Sequence, residues 1–292
     1  MKILHVCAGW GEGNGAANIA RLVMGEQRRE GHSVRCATWP SLRELREADE
    51  TWVHCGWLPC LWRAAVLGRN VHWMPEACYD PVRLAYHGWK KRLAGPVERW
   101  CLRRSANIVA TCDAERGWIR DYVGKGCPPV VVTDVKRFFK LDGKESAAEE
   151  DGNADRAEGE LRLLYLGRRH PLKGVEYLEE AVRRVQGAAG VRRVRLETVS
   201  SAFGGEKERV WGRCDALVLP TLSDNFGLVV AEALERGKRV ITTDGAPAWD
   251  GGNDYGGRLV YLRGFRDGSS EERVELLRRA IAQICAATID GA

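Results

Sequence analysis

Residues 219–243 read LPTLSDNFGLVVAEALERGKRVITT. The apolar run "ALVLP" (216–220) leads into a polar Ser-Asp-Asn turn, then an apolar stretch, then the β-branched run "RVITT". This pattern predicts strand, helix and strand, joined as a parallel crossover unit. Between Phe226 and Leu234 every residue is apolar or Gly except Glu232. A helix apolar on nearly every side is a buried helix, and a lone carboxylate in it is costly unless something pairs with it. Glu232 therefore needs an internal partner or a ligand.

Working outward, the same alternation recurs. Before residue 140, "KILHVCA", "HSVRCAT", "TWVHCGW", "NVHWM", "NIVATC" and "PVVVT" read as strands, with helix patterns at 16–29, 82–104 and 114–122. After residue 160 come strand "LRLLYLG", a helix at 175–185, strands "VRRVRLETV" and "ALVLP", the apolar helix, "RVITT" and a last helix at 271–285. Between them "LDGKESAAEEDGNADRAEGE" holds almost no large apolar side chain and cannot pack, so it reads as a linker. The expected fold class is α/β. Two Rossmann-like lobes, residues 1–140 and 161–292, flank an acidic flexible linker at 141–160, with room for a ligand between the lobes. A length of 292 residues suits two such domains.

No apolar run approaches the roughly 18 residues that cross a bilayer. The N-terminal "MKILHVCAG" is too short for a signal peptide and runs into polar "GEGNG", so it reads as a first buried strand of a cytoplasmic protein. The ten cysteines contain no CxxC pair. Cys7, Cys36, Cys55 and Cys112 sit in apolar runs and are expected to be free, buried thiols rather than a zinc site. The net charge of +5 is uneven, with the basic excess in the first lobe and the acids crowded into 141–160. A basic lobe suits either an anionic partner or a solvated face.

Ligands of open α/β sheets bind beyond the carboxyl ends of the strands. Four loops lie there. "GWGEGNGA" (9–16) follows the first strand, and Gly11, Gly13 and Gly15 would let backbone approach an anion at a helix start; a tight turn would also want glycine. The spacing is not GxGxxG, and "RCATW" lacks the acid that holds an adenosine ribose, which argues against a dinucleotide. In "LGRRHPLKG" (166–174) Arg168 and Lys173 can converge on one anion, or simply be surface charge. "SDN" (223–225) suits a helix N-cap, with Phe226-Gly227 opening the helix; Asp224 lies in the loop and Glu232 eight positions on. "TTDGAPAW" (242–249) either wraps a ligand or only turns.

The stretches GRRHPLKG (167–174) and CDALVLPTLSDNFGLVVAEALERGKRVITTDGAPAW (214–249) resemble the C-terminal lobe of family 4 retaining glycosyltransferases of the GT-B fold. HGWKKRLAGPVERWCLRRSANIVATCDAERGWIR (87–120) is similar to the matching N-terminal region of members that build lipopolysaccharide and other surface polysaccharides. The resemblance implies retaining transfer of a sugar from a nucleoside-diphosphate sugar co-substrate to a glycan or glycolipid, with no metal and no other cofactor. It implies that Glu232 grips the donor ribose and that Asp224, where the family has a first Glu, touches the donor sugar. Asn225, Phe226, Gly227 and Leu228 complete that donor segment. Arg168 and Lys173 match the diphosphate-binding cations, and Gly11, Gly13 and Gly15 the glycine-rich loop.

Two departures stand out. Where relatives read roughly "PHGMLDP", this chain reads "PEACYDP", so Glu76 replaces a His; it either faces the ligand or pairs with a base such as Arg83. The second lobe is compressed, with room for one strand between Val185 and Trp211 where relatives have two strands and a helix. Expected partners are the donor, the acceptor and an anionic membrane surface at the inner face of the cell membrane, with no nucleic acid. A catalytically inactive glycan-binding or partner subunit is the alternative, and a dehydrogenase a remote one.

Overall fold

The computed structural model describes residues 1–56, 59–141, 160–186, 193–251 and 253–287. The chain divides into two compact units, Met1–Phe138 and Phe139–Ala292. In the first, β1 (Lys2–Cys7), α1 (Gly15–Arg29), β2 (Ser33–Ala37), α2 (Leu42–Glu47), β3 (Glu50–His54), α3 (Pro59–Leu67) and β4 (Val71–Met74) follow one another. Then come α4 (Pro81–His87), α5 (Trp89–Arg103), β5 (Asn107–Ala110), α6 (Asp113–Val123) and β6 (Val130–Val132). The strands form one sheet in the order β2-β1-β3-β4-β5-β6, parallel throughout. Leu4, Val6, Val53 and Trp73 on one face pack with Leu61 of α3, Leu102 of α5 and Ile119 of α6 as a single core. Burial of such apolar area is the main driving force for the unit.

The second unit runs β7 (Leu161–Leu166), α7 (Val175–Gln186), β8 (Val194–Val199), α8 (Gly204–Gly212) and β9 (Ala216–Leu219). It continues through α9 (Leu228–Glu235), β10 (Arg239–Thr243), β11 (Leu259–Leu262) and α10 (Ser270–Ala287). Its sheet order is β11-β10-β9-β7-β8, again parallel. In each unit the chain starts in the sheet, steps out to one side, and returns past its first strand. The order therefore reverses between β1 and β3 in the first unit and between β7 and β9 in the second, the switch points at which open α/β sheets bind ligands.

Several expectations need correction. The helix read across 82–104 is two helices, because Gly88 (φ 41°, ψ −108°) breaks it after His87. Cys36 is exposed, and Cys55 and Cys112 are only partly buried. Cys36 lies on β2, the sheet's edge, which has little to pack against. α2, α3, α8 and β11 were not read from the sequence. Of the segment expected to be a linker, residues 142–159 lie outside the described residues. Its last residue, Glu160, is buried and ion-paired with Arg162 (3.2 Å), so it is part of the second unit. Among the described residues, one strand, β8, lies between α7 and β9, as the compressed reading anticipates, but it is followed by a short helix, α8, which that reading did not include.

Candidate functional site

At the second switch point two loops are stitched together. Leu222 N–H donates to the Leu172 carbonyl (2.8 Å), and the Thr221 hydroxyl to the same oxygen (3.0 Å). Gly174 has φ 61°, and a Cβ there would fall 2.2 Å from the Pro220 oxygen, so only glycine allows this approach. The stitching brings Lys173, 51 positions away in sequence, into an ion pair with Asp224. Both side chains are 20% exposed. The third loop closes on the second: Asp224 N–H donates to the Gly245 carbonyl (2.8 Å), and Trp249 Nε1–H to the Phe226 carbonyl. The segment 242–249 thus braces the donor segment. Arg168 is exposed, while its neighbour Arg169 is held by Glu179 (2.6 and 2.8 Å).

The Ser-Asp-Asn run does not cap α9. The cap is Gly227 in the left-handed region (φ 66°, ψ 62°), with no side-chain cap bond, so the N–H groups of the first turn are not met by a cap. Phe226 is buried against Trp249, ring centroids 5.1 Å apart, and Leu228 opens the helix. Asn225 is buried beside it. Glu232 is not sealed in the core. Its side chain is 21% exposed, and Oε1 receives Lys207 Nζ of α8 at 2.7 Å. The internal partner is thus Lys207. Oε2 is buried and has no hydrogen-bond partner among the described residues. A shielded acceptor oxygen without a donor is the kind of group a ligand hydroxyl satisfies.

At the first switch point the loop Gly9–Gly15 follows β1. Asn14 organises it, capping α1 through Ala16 N–H (3.1 Å) and donating to the Gly9 carbonyl (2.7 Å). Gly11, Gly13 and Gly15 are exposed. A Cβ on Gly11 or Gly15 would meet nothing within 4 Å. Neither has positive φ. Turn geometry therefore does not demand glycine at these two positions.

Glu76 lies two residues past the end of β4 and is 5% exposed. Its Oε1 sits 3.2 Å from His54 Nδ1. His54 Nε2 is 2.9 Å from His5 Nδ1, and His5 Nε2 is 2.7 Å from Gln27 Oε1. Burial lowers the pKa of His54 to about 3. Burial, then the neighbouring His54, lowers that of His5. Burial, then the nearby Glu115, pushes Glu76 well above the carboxylate range, against a smaller pull from Arg83. The side-chain partner is therefore His54, not the Arg83 that sequence suggested. His5, His54, Gln27, Glu115 and Lys207 escaped sequence reading. The signal was present: "KILHVC" and "ETWVHC" each carry a histidine inside an otherwise buried strand.

No family model matches this chain, and no curated protein is similar to it in sequence. Solved structures do match. Sucrose-phosphate synthase from Thermosynechococcus elongatus superposes with a TM-score of 0.70 at 12% identity, over 96% of this chain and 90% of that one. The fold is that of GT-B glycosyltransferases. Anabaena HepE in complex with UDP-glucose matches with a TM-score of 0.59 at 15% identity over the full length of both chains. WaaG, described as a glycosyltransferase involved in lipopolysaccharide biosynthesis, matches at 0.64 and 14% identity, over 99% of this chain and 95% of that one.

Proposed function

We propose that this protein is a retaining glycosyltransferase that moves a sugar from a nucleoside-diphosphate sugar to a surface glycan or glycolipid. The observation that carries the reading is the stitched pair of loops at the second switch point, which sets Lys173, Asp224 and the start of α9 together. HepE, of the same fold, is seen with UDP and with UDP-glucose. In this chain Arg168, Lys173 and the N-terminus of α9, which no side chain caps, would take the diphosphate as charge grows on it. Glu232 Oε2 would accept from a ribose hydroxyl, and Asp224 would turn from Lys173 toward the donor sugar. Attack on the same face as departure needs no protein nucleophile, and the cations named could answer the diphosphate charge without a metal.

The acceptor side rests on α5. Trp89, Leu93, Val97 and Trp100 recur at helical spacing and are 67%, 72%, 46% and 49% exposed. Lys90, Arg92, Arg103 and Arg104 flank them, all exposed. The helix's one acid, Glu98, is fully buried on Lys91. Outward Trp and aliphatic side chains edged by cations suit the interface of an anionic membrane, where a glycolipid acceptor would lie and a cytoplasmic enzyme would meet it. Among the described residues no helix is long and apolar enough to cross a membrane.

A second reading, a nucleotide-binding subunit without turnover, is favoured by Lys173 and Glu232 already being paired. A panel of nucleotide sugars decides between them. Turnover of one donor, with the anomeric configuration of the product read by NMR, supports transfer. Binding of a nucleotide without any turnover supports the subunit. Co-sedimentation with anionic but not zwitterionic vesicles, lost in Trp89→Ser/Trp100→Ser, tests the membrane face.

A further inference from the structure

The row Gln27–His5–His54–Glu76 crosses β1, β3 and the end of β4 beneath the first switch point. Its hydrogen bonds can be counted from one end. The Gln27 carbonyl oxygen accepts, so His5 carries its proton on Nε2. A neutral His5 then has a bare Nδ1, which must accept from His54 Nε2–H. A neutral His54 in turn has a bare Nδ1, and this faces Glu76 Oε1 at 3.2 Å. Two acceptors repel unless the carboxyl brings the proton.

A second acid lies nearby. Glu115 accepts from Ala77 N–H (2.6 Å), Thr111 N–H (2.7 Å) and the Thr111 hydroxyl (2.8 Å). Burial raises Glu115 as well, but these three donors oppose the shift, whereas no such donors oppose it at Glu76, so of the two Glu76 holds its proton more tightly. The other groups around the row are Cys7 on β1, Arg28 on α1, Cys55 after β3, His72 on β4 and Arg83 on α4. Cys55, Glu76 and Ala77 have positive φ (67°, 57° and 59°), three of the five such non-glycine residues among those described. Backbone held in that region clusters where a chain is being aimed at a ligand.

We infer that the Gln27–His5–His54 row holds Glu76 as an uncharged carboxylic acid, whose O–H donates a hydrogen bond to His54 Nδ1 and whose second oxygen accepts from a hydroxyl of a sugar bound at the carboxyl ends of β1, β3 and β4. The second half of this rests on the glycosyl-transfer reading; the first does not. Oε2 of Glu76 makes no hydrogen bond among the described residues. Neutrality also spares the buried site the cost of an unpaired charge. Glu76 thereby serves as a neutral hydrogen-bonding group in the position where relatives of the resembled family carry a histidine.

Two measurements test this. In 15N-labelled protein, His54 gives the Nε2–H tautomer with a bare Nδ1, and wild type shows a protonated-carboxyl infrared band that disappears in Glu76→Gln. An Nδ1–H tautomer of His54, or no such band, overturns the assignment. With UDP-glucose as probe, or whichever donor the panel shows to be turned over, Glu76→Leu, which removes both oxygens, lowers kcat/KM by roughly tenfold or more, and Glu76→Gln, which keeps shape, neutrality and a donor to His54, loses less. Wild type loses turnover as pH rises through the raised Glu76 value and the carboxyl surrenders its proton, and Glu76→Gln does not. Wild-type kcat/KM in Glu76→Leu, or identical pH profiles for wild type and Glu76→Gln, overturns the ligand role. If no donor is turned over by wild type, the transfer reading fails, and the His54 spectrum alone decides the protonation state.

Discussion

The first unit's switch point is floored by Gln27, His5, His54 and Glu76, each no more than 7% exposed. The second's holds Lys173, Asp224 and Glu232, each about a fifth exposed and each in an ion pair, together with exposed Arg168. Both sheets reverse order at the same place. One topology thus carries two chemistries, and depth separates them. Deep groups lose their charges and hand protons along a row, while shallow groups keep theirs and pair. A neutral group suits a hydroxyl and a charged one suits a phosphate.

The largest effect that would sharpen this contrast is at the rim. Lys173→Ala should lower donor turnover by roughly 10²–10³, the typical loss of a charge-stabilising donor. Its melting temperature should barely move, because a partly exposed ion pair is worth about 0–1 kcal/mol. Wild-type turnover in steady-state assays would take Lys173 out of the site.

Glycines come next. Gly174→Ala places a Cβ against the Pro220 oxygen at positive φ, and should cost about 1–3 kcal/mol in chemical denaturation. Gly15→Ala meets nothing; it should leave stability within ~1 kcal/mol while weakening donor or acceptor binding. Equal stability losses in both would break the comparison.

A smaller effect concerns pH. The carboxyl of Glu76 has a native pKa raised above its ordinary 4.5, so the native state binds the extra proton. Its contribution to stability is complete below the ordinary carboxyl value and is lost as pH rises through the raised one. Urea unfolding at a series of pH values should show wild type losing stability over that window more than Glu76→Gln does. Parallel curves would mean Glu76 is ionised in the fold.

The smallest is Glu232→Gln, expected to weaken nucleotide affinity by about 0.5–1.5 kcal/mol, the worth of one hydrogen bond. Isothermal titration with UDP checks it. A drop in melting temperature with unchanged affinity would make the Lys207 pair its whole role.

Much of this was legible in the chain. β7, β9 and β10 read directly from their apolar runs, and Arg168, Lys173 and Asp224 from their places at strand ends. α2 and α3 did not, because the one is six residues long and the other lacks a polar face to set its period. The break at Gly88 hid inside a continuous helical pattern, since a single glycine is as compatible with a helix as with its end. Glu232 was read as buried because α9 is apolar in sequence, yet its position beside α8 leaves it a fifth exposed and within reach of Lys207.

The sequence by itself determined the alternation of strands and helices, hence two parallel sheets, since apolar periodicity and glycine placement act over a few neighbouring residues. Only the tertiary structure decided which charges survive. Lys173 met Asp224 across 51 positions, and His5 met His54 across 49, because protonation follows burial and the nearest partner in space, and neither is a local property of the chain.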